Sequence, residues 1–187
     1  MSKIYAIFDF ELNQKMGLSI GEYIALAKRH NAIYLQYRDK VNPLDIKREN
    51  LIKIRELWSN TLIINDEPEL VSICDGLHLG QEDLSKISLD KKEAIRSIRE
   101  KIKDKILGIS THNIDEIKEA NELDIDYIGL GAYRSTSTKD VSLVLGDQIS
   151  YIASFSQHPV VAIGGVRVDD NIKNISFNAI GLNLYEY

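Results

Sequence analysis

Eight short apolar runs, almost free of internal polar alternation, constrain this chain more than any other feature. They lie at Ile4–Phe8, Ala32–Leu35, Thr61–Ile64, Gly76–Leu79, Lys105–Ile109, Tyr127–Leu130, Val160–Ile163 and Ala179–Leu184. A strand with one wet face alternates apolar with polar, whereas continuous runs suit strands covered on both faces, as in parallel sheets. Between the runs, apolar residues recur at helical spacing: Leu44, Leu51, Ile54 and Trp58, then Ile95, Ile98 and Ile102, then Val141, Leu145, Ile149 and Ile152. Ser19 with Glu22 and Asn113 with Glu116 are capping-box patterns, and Pro43 suits a first helical turn. Strands alternating with about seven helices predict an α/β fold, a (β/α)8 barrel. A doubly wound open sheet is the alternative topology.

Length and composition bound the rest. A chain of 187 residues predicts one domain spanning residues 1–187. A net charge of −5 lacks the basic stripe of a nucleic-acid surface, although a local cleft can still attract anions. Cys74 is the only cysteine, which excludes an intrachain disulfide and a cysteine-based metal site. No run reaches the roughly 20 apolar residues of a membrane span, and Met1-Ser2-Lys3 leads straight into the first run with no cleavage-site pattern. The expectation is a soluble cytoplasmic protein without membrane or nucleic-acid partners. The last run ends close to Tyr187, leaving no room for an eighth helix, and a barrel wall left bare there predicts a homodimer.

Polar clusters follow the runs, and in a barrel such clusters converge at the C-terminal face. Gln36, Arg38 and Lys40 are spaced by two, which puts them on one face of an extended segment, with Leu35, Tyr37 and Asp39 on the other. Two cations on one face repel unless an anion lies between them; a solvated charge run is the alternative. Asn65 and Asp66 close the third run and would otherwise cap a helix begun by Pro68. Asp83 follows the fourth, and adjacent strand ends lie about 5 Å apart. Asp66 and Asp83 thus match the one or two carboxylates that hold magnesium beside substrate phosphates. His78 lies within its run, as consistent with a hydrogen-bonded core histidine as with a site residue. Ser110 can donate to a phosphate or cap the next helix, and His112 is the one candidate general base; His30 and His158 read as structural. Thr136, Thr138 and Lys139 lie in a polar loop suited to phosphate oxygens. Gly164-Gly165 ends the seventh run, where paired glycines let backbone N–H groups approach an anion.

Gln-Tyr-Arg-Asp-Lys at 36–40, Asn-Asp at 65–66, Gly-Leu-His-Leu-Gly-Gln-Glu-Asp at 76–83, Gly-Ile-Ser-Thr-His at 108–112, Thr-Ser-Thr-Lys at 136–139 and Pro-Val-Val-Ala-Ile-Gly-Gly at 159–165 together resemble the thiamine-phosphate synthase family. The resemblance spans nearly the whole chain and implies a TIM barrel. It implies an enzyme, a transferase coupling hydroxymethylpyrimidine diphosphate to thiazole phosphate with release of diphosphate. It further implies that Gln36, Arg38, Lys40, Asn65, Ser110 and Lys139 hold the pyrimidine diphosphate. Arg38, Lys40, Ser110 and Lys139 would act on the leaving group, and Asp66 and Asp83 would hold Mg2+. Thr136, Thr138 and Gly165 would hold the thiazole phosphate.

Two departures from the family pattern stand out. Glu67 replaces an arginine usual after Asn-Asp, and Tyr185 and Glu186 replace the Ile-Ser that ends the eighth strand. Two other functions remain compatible with the residues. One is a thiazole tautomerase-like enzyme with His112 as base. The other is a non-catalytic barrel that binds thiamine intermediates.

Overall fold

The structure is a computed structural model that describes residues 3–135 and 143–185. Eight parallel strands, hydrogen-bonded in sequence order with β8 returning to β1, close a barrel. They are β1 Lys3–Asp9, β2 Tyr34–Arg38, β3 Thr61–Asn65, β4 Gly76–Leu79, β5 Ile106–Thr111, β6 Tyr127–Leu130, β7 Val160–Ala162 and β8 Phe177–Ile180. Closure excludes the open sheet.

Two strands depart most from their apolar runs. β2 continues to Arg38, because Gln36 and Arg38 point inward and are paired there rather than exposed. β8 starts earlier, and Leu182–Leu184 forms a 3-10 turn instead of extending it.

The α-helices are α1 Phe10–Lys15, α2 Ile20–Arg29, α3 Leu44–Leu57, α4 Gln81–Ile87, α5 Lys91–Ile102, α6 Ile114–Ala120 and α7 Ile149–Ala153. They are distributed unevenly. α1 and α2 share the β1–β2 crossover, and α4 and α5 share the β4–β5 crossover. The β3–β4 link is a 3-10 segment, Pro68–Ile73, and no α-helix lies between β7 and β8. The β7–β8 link, Val-Arg-Val-Asp-Asp-Asn-Ile, has too few apolar residues to cover the wall with a helix face; Val166 and Ile172 alone are buried from it. Ser19 and Glu22 form the anticipated capping box at α2, and Asn113 caps α6. Pro43 sits one position before α3, and Leu44, although on its stripe spacing, stays exposed. Val141 lies outside the described residues.

Outward-facing strand residues such as Leu35, Leu62, Leu77, Leu107 and Ile128 pack under Tyr23, Ile24, Leu51, Ile54, Ile95 and Ile98 of the helices. The interior holds a separate, aromatic-rich cluster: Tyr5, Ile7, Ile63, Tyr127, Val161 and Ala179, with Tyr34 and Phe177 below. Rings fit because neighbouring inward positions are glycines. A Cβ at Gly108 would lie 2.0 Å from the Tyr127 ring, and one at Gly129 would lie 3.2 Å from His78. His78 stacks on Tyr127, and burial of its imidazole depresses the pKa to about 4.

Two predictions follow from this packed interior. Gly108→Ala should destabilise the fold by about 1–3 kcal/mol, read from the denaturant midpoint, because the Tyr127 ring has nowhere to retreat. An unchanged midpoint would contradict the packing. His78 is neutral in the fold but titrates near 6.5 when unfolded, so the unfolded chain binds more protons between those values. Its contribution is therefore present above pH 6.5 and lost as the pH falls toward 4. About 2 kcal/mol should disappear between pH 7 and 4.5. The same titration of His78→Gln should lack that component.

Candidate active site

The C-terminal ends of β1 to β5 bring most of the sequence-predicted polar residues to one rim. On β2 the alternation is as anticipated, with Gln36 and Arg38 facing in. Tyr37 and Asp39 face out and build the turn that presents Lys40. Asp39 accepts from Tyr37 Oη at 2.6 Å, from the backbone N–H of Val41 and Asn42, and from the Asn42 side chain. Burial pushes the Asp39 carboxyl up, but these donors together hold it below the usual carboxylate range.

Arg38 and Lys40 do not face each other across an empty gap. Arg38 pairs with Asp9 at the end of β1, its register partner, and Lys40 pairs with Asp66. Gln36 Nε2 donates to Asn65 Oδ1 at 3.2 Å, and Asn65 donates onward to Asp66. Asp66 adopts a left-handed backbone, φ 62°, with its N–H bonded to the His78 carbonyl. It therefore turns back into the rim; it caps no helix, since Glu67 precedes the 3-10 segment and makes no side-chain cap.

Asp83 sits in the first turn of α4 and pairs with Lys86 at 2.7 Å. Burial raises the pKa of Asp66, and the nearby charge of Asp83 adds to that rise against the pull of Lys40. For Asp83, burial acts upward, but Lys86, Asp66 and Lys40 bring it below the usual range. Two carboxylates that resist joint ionisation are a donor set that a divalent cation would relieve. No group of three or more His, Cys, Asp or Glu side chains is placed to hold a metal among the described residues. A cation here would take its other ligands from substrate and water.

Ser110 lies at the end of β5. Its carbonyl accepts from Gln81 Nε2 at 2.5 Å, and its hydroxyl lies 3.0 Å from His78 Nε2. His78 is thus both a hydrogen-bonded interior histidine and a direct neighbour of the rim. His112 pairs through Nδ1 with Glu116 Oε2 at 2.9 Å. His30 caps the C-terminus of α2, and His158 Nε2 lies 3.1 Å from the Ala120 carbonyl.

Gly164 and Gly165 both hold positive φ, 84° and 64°, where a Cβ would also strike Ala132 or Arg134. Arg134, bound in two-pronged fashion to Asp170, donates to the Gly165 carbonyl at 2.9 Å and fixes this turn. Thr136, Thr138, Lys139 and Glu186 lie outside the described residues. Glu67 turns away from the rim and pairs with the buried Lys47 of α3. Tyr185 packs on Tyr23 and donates to Asn13 Oδ1 at 3.3 Å.

Sequence patterns alone missed Asp9 and Arg134, and gave Gln81, although it lies in the 76–83 motif, no role of its own. Asp9 carried a usable signal, since it directly follows the first apolar run, whereas the contacts that Gln81 and Arg134 make span about thirty residues of sequence and left no local trace.

Known proteins resemble this chain in sequence and in fold. The sequence model described as thiamine monophosphate synthase matches residues 4–183. A thiamine-phosphate synthase of Pelotomaculum thermopropionicum is 35% identical over 181 residues, covering 92% of this chain and 78% of the relative. One from Bacillus cereus is 35% identical over 162 residues, covering 80% of this chain and 67% of its own length. Another, from Caldicellulosiruptor saccharolyticus, is matched over 63% of its length and 75% of this chain, also at 35% identity. The solved structure of a thiamine phosphate pyrophosphorylase from Pyrococcus furiosus superposes with a TM-score of 0.75 at 23% identity, covering 96% of this chain and 85% of that one, which is a likeness of fold. No helix among the described residues is long and apolar enough to cross a membrane. With its barrel and its sequence in agreement over nearly the whole length, the chain belongs to the thiamine monophosphate synthase family, a family of transferase enzymes.

Proposed function

We propose that this protein couples hydroxymethylpyrimidine diphosphate to thiazole phosphate, releasing diphosphate, by a magnesium-assisted dissociative substitution. The observation that carries this is the pairing of fixed cations with carboxylates on one rim: Arg38 with Asp9, Lys40 with Asp66, and Asp83 alongside.

Gln36, Arg38, Lys40, Asn65 and Ser110 would grip the pyrimidine diphosphate, with Lys139 from the loop after β6. Asp66 and Asp83 would hold the metal. When bound, magnesium supplies charge neutralisation at the diphosphate oxygens. Arg38 and Lys40 are already aimed and partly desolvated, so little reorganisation is needed as negative charge grows on the leaving group. A departing diphosphate carries roughly three negative charges, and together with the two aspartates it nearly balances the metal and three cations. Asp9 and Lys86 add one charge of each sign and leave that balance intact. Loss of diphosphate leaves a pyrimidine cation, which the thiazole nitrogen captures without a general base.

On the thiazole side, the Gly164–Gly165 turn presents backbone, and Thr136 and Thr138 would add hydroxyls. Glu67, being tied to Lys47, does not repel phosphate at the rim. The proposed setting is one domain acting on small-molecule substrates in the cytoplasm, as a homodimer.

The His112–Glu116 pair favours a second function, a thiazole tautomerase-like reaction, because a carboxylate on Nδ1 fixes the tautomer that leaves the other ring nitrogen free to accept a proton. Two variants separate the functions. Asp83→Ala should abolish synthase turnover and its magnesium dependence while sparing a tautomerase, and His112→Ala should do the reverse.

The direct test is thiamine phosphate formation by purified protein with both substrates and magnesium, with and without EDTA. Product is expected only with magnesium, and Lys40→Ala should lower kcat about a hundredfold. Product formation undiminished by EDTA would overturn the metal assignment. No product from folded protein would overturn the synthase itself.

A further inference from the structure

Three hydrogen bonds join four side chains into one line through the barrel. Tyr5 Oη lies 3.0 Å from Tyr127 Oη, Tyr127 Oη lies 3.0 Å from His78 Nδ1, and His78 Nε2 lies 3.0 Å from Ser110 Oγ. Tyr5, Tyr127 and His78 are buried, and only Ser110 reaches the rim. The Ser110 backbone is clamped by Gln81, so the direction of its hydroxyl is the freedom that remains.

A neutral imidazole has a single N–H, and whichever nitrogen carries it sets the direction of every bond in the line. Two directions close. In one, Ser110 donates to Nε2, Nδ1–H donates to Tyr127, and Tyr127 donates to Tyr5; Ser110 then shows the rim only lone pairs. In the other, Tyr5 donates to Tyr127, Tyr127 donates to Nδ1, and Nε2–H donates to Ser110, whose own hydrogen is free. A phosphate oxygen only accepts, so a bound diphosphate selects the second direction.

Resting on the synthase assignment above, we propose that Tyr5, Tyr127 and His78 are positioning residues that set the polarity of the Ser110 hydroxyl and commit it as a donor to the substrate diphosphate. The two directions carry the same number of protons and differ in which imidazole nitrogen holds its hydrogen and in which way the hydroxyl hydrogens point. The rings can form it because Gly108 and Gly129 leave the slot they occupy.

Tyr127→Phe tests this with almost no change of volume. It removes the donor to Nδ1, so the imidazole is free to take its other tautomer and draw the Ser110 hydrogen inward. The expected loss in kcat/KM for the pyrimidine diphosphate is roughly ten- to a hundredfold, with KM for the thiazole phosphate unchanged. In a Ser110→Ala background the same substitution should cost no more than about twofold, because the line then has nothing to orient. Full activity of Tyr127→Phe, or losses that simply multiply in the double variant, would overturn the proposal. Ser110→Ala at full activity would remove the serine from the substrate site and the line with it.

A measurement independent of turnover keeps the two levels apart. Nitrogen NMR of the His78 ring in wild-type protein, with inorganic diphosphate and magnesium, should show the proton on Nε2. A proton on Nδ1 in the diphosphate-bound protein overturns the line and leaves the site assignment standing. Failure to bind diphosphate overturns both.

Discussion

The register with which β2 joins β1 and β3 is the constraint on which the rim depends. Asp9 stands opposite Arg38, and Ile7 opposite Gln36. Because side chains alternate faces, a slip of one residue would turn Gln36 and Arg38 into the helical layer and drive Leu35 and Tyr37 into the barrel. That slip is blocked from outside as much as from inside. Tyr37 is fully buried against Phe8 and hydrogen-bonded to Asp39 and Asn50. The same Asp39 then ties the turn that carries Lys40. The polar inner face is thus fixed by an outer face that has no chemistry of its own to perform.

The electrostatics follow from that geometry. Among the described residues, the rim cations Arg38 and Lys40 each arrive already matched to a carboxylate, so they form no bare positive patch, in keeping with the negative net charge of the chain. In the proposed reaction an anionic substrate would compete for Lys40 with Asp66, and a metal would compete for Asp66 with Lys40. Binding the two together would satisfy both groups, whereas binding either alone would leave one uncompensated. Under the proposed reaction, metal and diphosphate are therefore co-dependent through a single ion pair.

Much of this was legible in the chain itself. Eight apolar runs gave eight strands, and the capping box at Ser19 and Glu22 marked α2 to the residue. Where polar residues turn into the barrel, the apolar criterion stopped short, as at Gln36 and Arg38. Where helices pair within one crossover or vanish, as between β7 and β8, counting periodic stripes gave the right number and the wrong distribution. The line from Tyr5 to Ser110 was not legible at all. Its first bond joins residues 122 positions apart, and nothing local distinguishes an interior tyrosine that packs from one that donates. The glycines opposite the rings were visible, but their purpose as vacated volume emerges only once the strands are side by side.

The β7–β8 crossover has a consequence for motion. β1 and β2 share five paired positions, whereas β7 and β8 share two, and no α-helix lies in the chain between β7 and β8. Asn178 reaches from β8 to the carbonyls of Arg167 and Asp170, while its own Oδ1 is buried without a partner among the described residues. The barrel is therefore stitched unevenly around its circumference. Amide exchange should run fastest along this seam, and the Gly164–Gly165 turn sits at its mouth, so the wall that yields most readily is also the one beside the proposed phosphate turn.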